Sequence, residues 1–129
     1  MPTDRRAASG APSRDDRVRG WISDILRNIE IINRVVADET RASFVSKIDR
    51  SYAVQYALIV ISEASRRLPA ELKARHRDLP WRQIADLRNA YTHEYHRIDP
   101  ARIWRTATEA LPPLEAAMRK ECDRIDSRR

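Results

Sequence analysis

Val18, Ile22, Ile25, Ile29, Ile32 and Val36 recur in steps of four and three, the spacing at which an α-helix returns to one face. This seam, widened by Trp21, Leu26 and Val35, predicts a first helix ending around Asp38. Its start is expected near Asp15 or Asp16, whose carboxylates suit a helix N-terminus. Residues 1–14 mix Pro, Ser, Ala, Gly and Arg without a period and read as a disordered leader. A second helix is expected from about Thr40 to Leu68, amphipathic at first (Phe44, Val45, Ile48, Tyr52). From Tyr52 to Ile61 the run Tyr-Ala-Val-Gln-Tyr-Ala-Leu-Ile-Val-Ile is apolar nearly all round. Such a helix is enclosed on most sides, either as the centre of a bundle or by facing a second subunit. Tyr52, Tyr56 and Tyr91 read as core or helix-packing aromatics.

Prolines divide the remainder. Pro69 and Pro80 bracket a basic connector, and Pro80-Trp81 opens a third helix with the short stripe Trp81, Ile84, Ala85 and Leu87. Ile98-Asp99-Pro100 breaks the chain again, with Asp99 as cap for a fourth helix carrying Ile103, Trp104, Ala107, Ala110 and Leu111. Pro112-Pro113 should kink or interrupt it, because neither has a backbone donor. Leu114, Ala117, Met118 and Ile125 carry the stripe into a basic tail over residues 121–129 that is expected to fray. The expectation is an all-α fold, a compact bundle of four to five helices over residues 15–120.

Composition narrows the function. The 129 residues fit one domain with one core. Both glycines, Gly10 and Gly20, precede Trp21, so the helical region holds no Walker loop, dinucleotide fingerprint or Asn-Gly hairpin turn. No motif asks for a cofactor. The single cysteine, Cys122, cannot close an internal disulfide and suits a reducing compartment. The N-terminus lacks the apolar core of a signal peptide, and Ala57–Ile61 is too short to span a bilayer. A cytoplasmic protein is the expectation.

The net charge of +6 is concentrated at the ends, where residues 1–20 and 119–129 together supply +4. One local cluster remains: Arg66, Arg67, Lys73, Arg75, Arg77 and Arg82, opposed only by Glu71 and Asp78. It reads either as a solvated connector or as a surface that tracks nucleic-acid phosphates.

Immediately after it comes Arg88-Asn89-Ala90-Tyr91-Thr92-His93-Glu94-Tyr95. Arginine presents a planar fork of donors to a phosphate, and histidine moves protons near neutrality. The pair suits metal-free attack on a phosphodiester. On a straight helix, however, Arg88 and His93 lie about 140° apart. Either the helix ends or bends between them, or a second copy supplies one partner. The second arrangement is favoured, since a symmetric dimer would put two arginines and two histidines into one cleft and provide both a base and an acid. His93 and His96, with His76 or Glu94, fall short of the ligand count and spacing of a zinc site, so no metal is expected. Glu63, at the far end of the apolar run, is a surface, interface or site carboxylate.

The Arg-x4-His-x-Tyr spacing resembles the motif of the HEPN-domain ribonucleases, and the closest resemblance is to their HepT-like branch. Ile61-Ser62-Glu63-Ala64 resembles that family's Ile-Gly-Glu-Ala, and Leu79-Pro80-Trp81 its Ile-Pro-Trp. Ile98-Asp99, Ile103-Trp104 and Leu111-Pro112 resemble the segments that follow, so the likeness runs from about Val18 to Met118. It implies an all-helical homodimer that acts as a metal-independent RNA endonuclease, the toxin of a toxin–antitoxin pair. Its partner would be a minimal nucleotidyltransferase that silences it by masking or by adenylylating the motif tyrosine. Carried over, Arg88 would hold the phosphate, His93 would be the acid–base group, and Asn89 and Glu63 would support the site. Tyr95 would be the adenylylation target. Attack by the ribose 2′-hydroxyl would leave a cyclic phosphate and a 5′-hydroxyl. The alternative is a non-catalytic helical partner that binds or presents nucleotide to the transferase. Two departures stand out: Ser62 replaces a glycine, which would loosen a close helix approach, and Tyr91 replaces an aliphatic residue, to fill the dimer interface or stack a base.

Overall fold

A computed structural model describes residues 10–93 and 98–129. The expected leader over residues 1–9, and the candidates Glu94, Tyr95 and His96, lie outside the described residues. Every regular element among the described residues is helical, as the sequence pattern demanded.

Helix α1 spans Arg14–Ala37. Ser13 sets its start by a reciprocal cap: its hydroxyl accepts from the Asp16 N–H, and the Asp16 carboxylate accepts from the Ser13 N–H. The helix therefore begins just ahead of the expected acidic pair. Val18, Ile22, Ile25, Ile29 and Ile32 are all buried, and Trp21, Leu26, Val35 and Val36 pack partly buried against them.

The second expected helix is in fact two, α2 over Arg41–Ser46 and α3 over Ile48–Arg67. They part at Lys47, whose backbone is extended. The Lys47 ammonium lies 2.8 Å from the Glu39 carboxylate, eight residues back, a separation a straight helix would stretch to about 12 Å. The hydrogen bond from Lys47, together with one from Ser43, holds the Glu39 carboxyl below its ordinary range. The break also buries Phe44 completely, with its ring 5.4 Å from that of Trp104.

Helix α3 is central, seated between α1 on one side and α5 on the other. Val54, Ala57, Leu58 and Ile61 form its buried face. The opposite edge does not follow the expectation for the tyrosines. Ile48, Tyr52 and Tyr56 stand 65%, 58% and 71% exposed, because among the described residues no other element reaches that side of α3. Only Tyr91 packs within the chain as expected.

The basic connector contains a short helix, α4, over Ala70–Arg75, pinned by buried Leu72. Helix α5 spans Trp81–His93, and the Trp81 indole N–H donates to the His76 carbonyl at 2.9 Å. Helix α6, Pro100–Arg105, is capped by Asp99, which accepts from the Ala101 N–H. It passes through one π-helical turn, Thr106–Ala110, into α7, Leu111–Ser127. The interruption expected at Pro112-Pro113 thus falls one turn upstream, and the prolines sit in the first turn of α7. They deprive the preceding turn of two donors, and the widened turn takes up the mismatch. Thr106 and Thr108 donate back to the Arg102 and Trp104 carbonyls.

The C-terminal stretch expected to fray is helical in the structure. Helix α7 runs beside α1 to Ser127, with Ile125 buried. Arg19 pairs with Asp126, Arg128 with Asp15, and Arg129 with Asp16. Glu121, 4% exposed, receives both the Arg75 guanidinium (2.6 and 3.1 Å) and the His76 ring (2.7 Å), which ties α4 to α7. No helix among the described residues is long and apolar enough to cross a membrane.

Burial alone would raise the Glu121 carboxyl, but the bonds from Arg75 and His76 outweigh it and leave it below its ordinary 4.5. A depressed carboxylate stabilises fully above that ordinary value and loses its contribution as pH falls through the lower folded value. Acid titration followed by circular dichroism should therefore show part of the stability disappearing below about pH 4.5. In Glu121→Gln that part of the acid response should be missing, with a lower plateau at neutral pH. Truncating the core at Leu58→Ala should cost about 2–5 kcal/mol in urea unfolding. A loss under ~1 kcal/mol would contradict the central placement of α3.

Candidate active site

Helix α5 presents two unlike sides. Ile84 is buried, and Leu87 and Tyr91 pack half-buried against the core, while Arg88, Asn89 and His93 stand exposed. The helix is continuous from Arg88 to His93, so no bend brings these two side chains to one side of the helix within the described chain.

Arg88 has a partner of opposite charge. Its Nε lies 2.9 Å from Oε1 of Glu63 on α3, with the Arg88 side chain 46% exposed. Two of the residues expected to share a site, Glu63 and Arg88, distant in sequence and on different helices, are thus brought together. A carboxylate at this distance restrains a long side chain and leaves its fork open to an anion. The Arg88 backbone is held as well: its N–H donates to the Ser62 hydroxyl, and its carbonyl accepts from Thr92 Oγ1 at 2.7 Å. Ser62 therefore does not loosen the helix approach. Its own hydroxyl fills the gap and bonds across it.

Tyr91 turns inward. Burial pushes its phenol above the ordinary value, with Thr106 and Arg102 acting in the opposite direction. It lines a cleft of about 110 Å³ with Leu87, Ala90, Ile98, Asp99, Arg102 and Thr106. The ring packs against the π turn of its own chain.

The members of the basic cluster differ in their partners. Arg66 spends its Nε on the Ala85 carbonyl of α5 at 3.0 Å. Arg67 lines a shallow groove with Trp21, Asp24, Val60, Glu63 and Ala64. Lys73 sits over the Trp81 ring, and Arg75 is committed to Glu121. Arg77 and Arg82 are exposed. Arg66 and Arg67 are thus the basic residues that flank the Glu63–Arg88 pair along α3.

The exposed edge of α3 leads to the same place. Ile48, Tyr52 and Tyr56 are spaced by four, and seven residues beyond Tyr56 the helix returns Glu63 to that face. An apolar stripe open to solvent therefore ends at the Glu63–Arg88 pair. Among the described residues, no group of three His, Cys, Asp or Glu side chains is placed to hold a metal ion.

Comparison with known proteins falls on the same part of the chain. The family model described as Ribonuclease HepT-like matches residues 25–121. A protein of Thermococcus cleftensis named "Probable ribonuclease HepT" is 30% identical over 102 residues, 79% of this chain and 93% of its own. A relative from Caldanaerobacter subterraneus subsp. tengcongensis, whose name carries a provisional RNase assignment, is 29% identical over 102 residues, 79% of this chain and 91% of its own. Another so named, from Methanocaldococcus jannaschii, is 32% identical over 101 residues, 78% of this chain and 82% of its own. No solved structure matches the chain. The family match spans α5 with Arg88 and His93 and the α3 segment that holds Glu63, and this chain belongs to the HepT-like family.

Proposed function

We propose that this protein is a metal-independent RNA endonuclease that works as a homodimer, with Arg88 and His93 as its reacting side chains. The observation that carries the reading is the Arg88–Glu63 pair on an exposed helix that also ends in His93. His93 removes the proton of the ribose 2′-hydroxyl as the oxygen attacks the adjacent phosphorus. Arg88 stabilises the charge that builds on the phosphoryl oxygens, and the leaving 5′-oxygen takes a proton from the second histidine of the dimer. Glu63 restrains Arg88, and Asn89 is a supporting donor beside it.

Two constraints support the dimer. An unbroken α5 separates Arg88 and His93 by about 140°, so one chain does not aim both at a single phosphate. The stripe Ile48–Tyr52–Tyr56 is apolar, exposed and continuous with Glu63, which is the character of a surface covered by another protein copy. Docking two such stripes brings the two α5 helices toward one cleft.

Such an activity is lethal if unchecked, and the reading extends to a toxin held by a nucleotidyltransferase antitoxin, through masking or adenylylation of Tyr95. An adenylyl group seven residues from Arg88 adds bulk and negative charge where an RNA phosphate must sit.

Purified protein, shown by intact mass to carry no adenylyl group, should cleave total RNA in EDTA, and His93→Ala should lower the rate by about 10²–10⁴. Folded, unmodified wild type that leaves every RNA intact would instead favour a helical binding partner of the transferase. Tyr56→Asp should sediment as a monomer at micromolar concentration, keep its helical circular dichroism and lose cleavage. A wild type that is monomeric yet cleaves would sink the shared cleft.

A further inference from the structure

Ser62 is a polar side chain with no exposed surface, directly after the apolar run Tyr52–Ile61. A buried hydroxyl is costly unless both its donor and its acceptor capacity are used. Here both are used on α5: the hydroxyl donates to the Ala85 carbonyl at 2.9 Å and accepts from the Arg88 N–H at 3.2 Å. One turn along α3, Arg66 Nε donates to that same carbonyl at 3.0 Å. Between them Glu63 takes the Arg88 guanidinium. Three residues of α3 thus grip a single turn of α5, by its backbone on one side and by its functional side chain on the other.

Apolar packing between α3 and α5 is non-directional and tolerates small sliding or rotation, whereas a hydrogen bond to a fixed N–H and a fixed carbonyl does not. The atoms held are the amide of Arg88 itself and the carbonyl three residues before it, so the contact fixes the angle at which Arg88 leaves the helix. A rotation of α5 by about 10° swings a guanidinium ~7 Å from the axis by roughly 1 Å. A displacement of that size costs up to about 10²-fold in rate when it misplaces a reacting group.

We propose that Ser62 is a positioning residue for RNA cleavage: it sets the rotation of α5 and thereby aims Arg88 at the scissile phosphate. The proposal rests on the ribonuclease reading above. It goes beyond that reading by assigning the aim of the arginine to a hydroxyl that touches no substrate.

Ser65 provides a matched control. It is a buried serine of the same helix, but its hydroxyl donates to the Ser62 carbonyl at 2.7 Å, within α3. Ser62→Ala, Ser65→Ala and wild type are compared in steady-state cleavage of a defined RNA, well below the melting temperature of each. Ser62→Ala should lose kcat by about tenfold with KM within about twofold, and Ser65→Ala should keep both. Ser62→Thr, which retains the hydroxyl, should recover most of kcat if it folds; the alanine pair decides the question without it. Equal kcat for Ser62→Ala and Ser65→Ala, with both cleaving, overturns the positioning role and leaves the ribonuclease reading standing. A wild type that cleaves no RNA removes both.

Discussion

The buried face of α3 is the surface on which the rest of the molecule is assembled. Val54, Ala57, Leu58 and Ile61 meet the isoleucine seam of α1 on one side and Ile84 of α5 on the other. Each fully buried aliphatic side chain here contributes about 1.5–3 kcal/mol, so this seam dominates cohesion of the bundle. It cannot by itself specify register, because isoleucine against leucine is satisfied in several alignments. The directional contacts that choose one alignment include Ser62, Glu63 and Arg66 toward α5, the Lys47–Glu39 turn before α3, and Arg75 and His76 on Glu121 beyond it.

What could be read from the sequence follows from how each feature is encoded. The α1 seam is written in spacing alone, and five of its six positions are buried, Val36 only partly. The caps at Thr40 and Asp99 and the start at Trp81 are local chemistry, legible within a few residues. The break at Lys47 was not legible, since nothing in residues 40–68 signals that Lys47 reaches back to Glu39. The prolines at 112 and 113 announced an interruption, but which turn would deform depended on packing against α1. Tyr52 and Tyr56 read as packing residues yet stand exposed, because an apolar run does not say which of its faces the fold covers.

The site was legible in part for the same reason. Arg88, Asn89 and His93 lie within six positions, and Glu63 was singled out as a carboxylate beside an apolar run; their pairing across two helices needed the fold. The basic cluster looked like one surface because its members are close in sequence. The fold commits Arg75 to a buried carboxylate 46 residues away and Arg66 to a neighbouring backbone. Ser62 looked like a defect in a small-residue motif. A hydroxyl at the end of an apolar run, one helical turn before Arg66, was the available hint that two polar groups grip the same neighbour.

The pairing of the two ends of the described chain has a mechanical consequence. Arg19, Asp15 and Asp16 at the start of α1 meet Asp126, Arg128 and Arg129 at the end of α7, so both ends leave the bundle at one pole. A force applied between them loads these exposed pairs one after another rather than all at once. Solvent screens each of them, so each resists little on its own. The molecule would open like a zipper along the α1–α7 seam at low force, with the α3–α5 half bearing load only after that seam has parted.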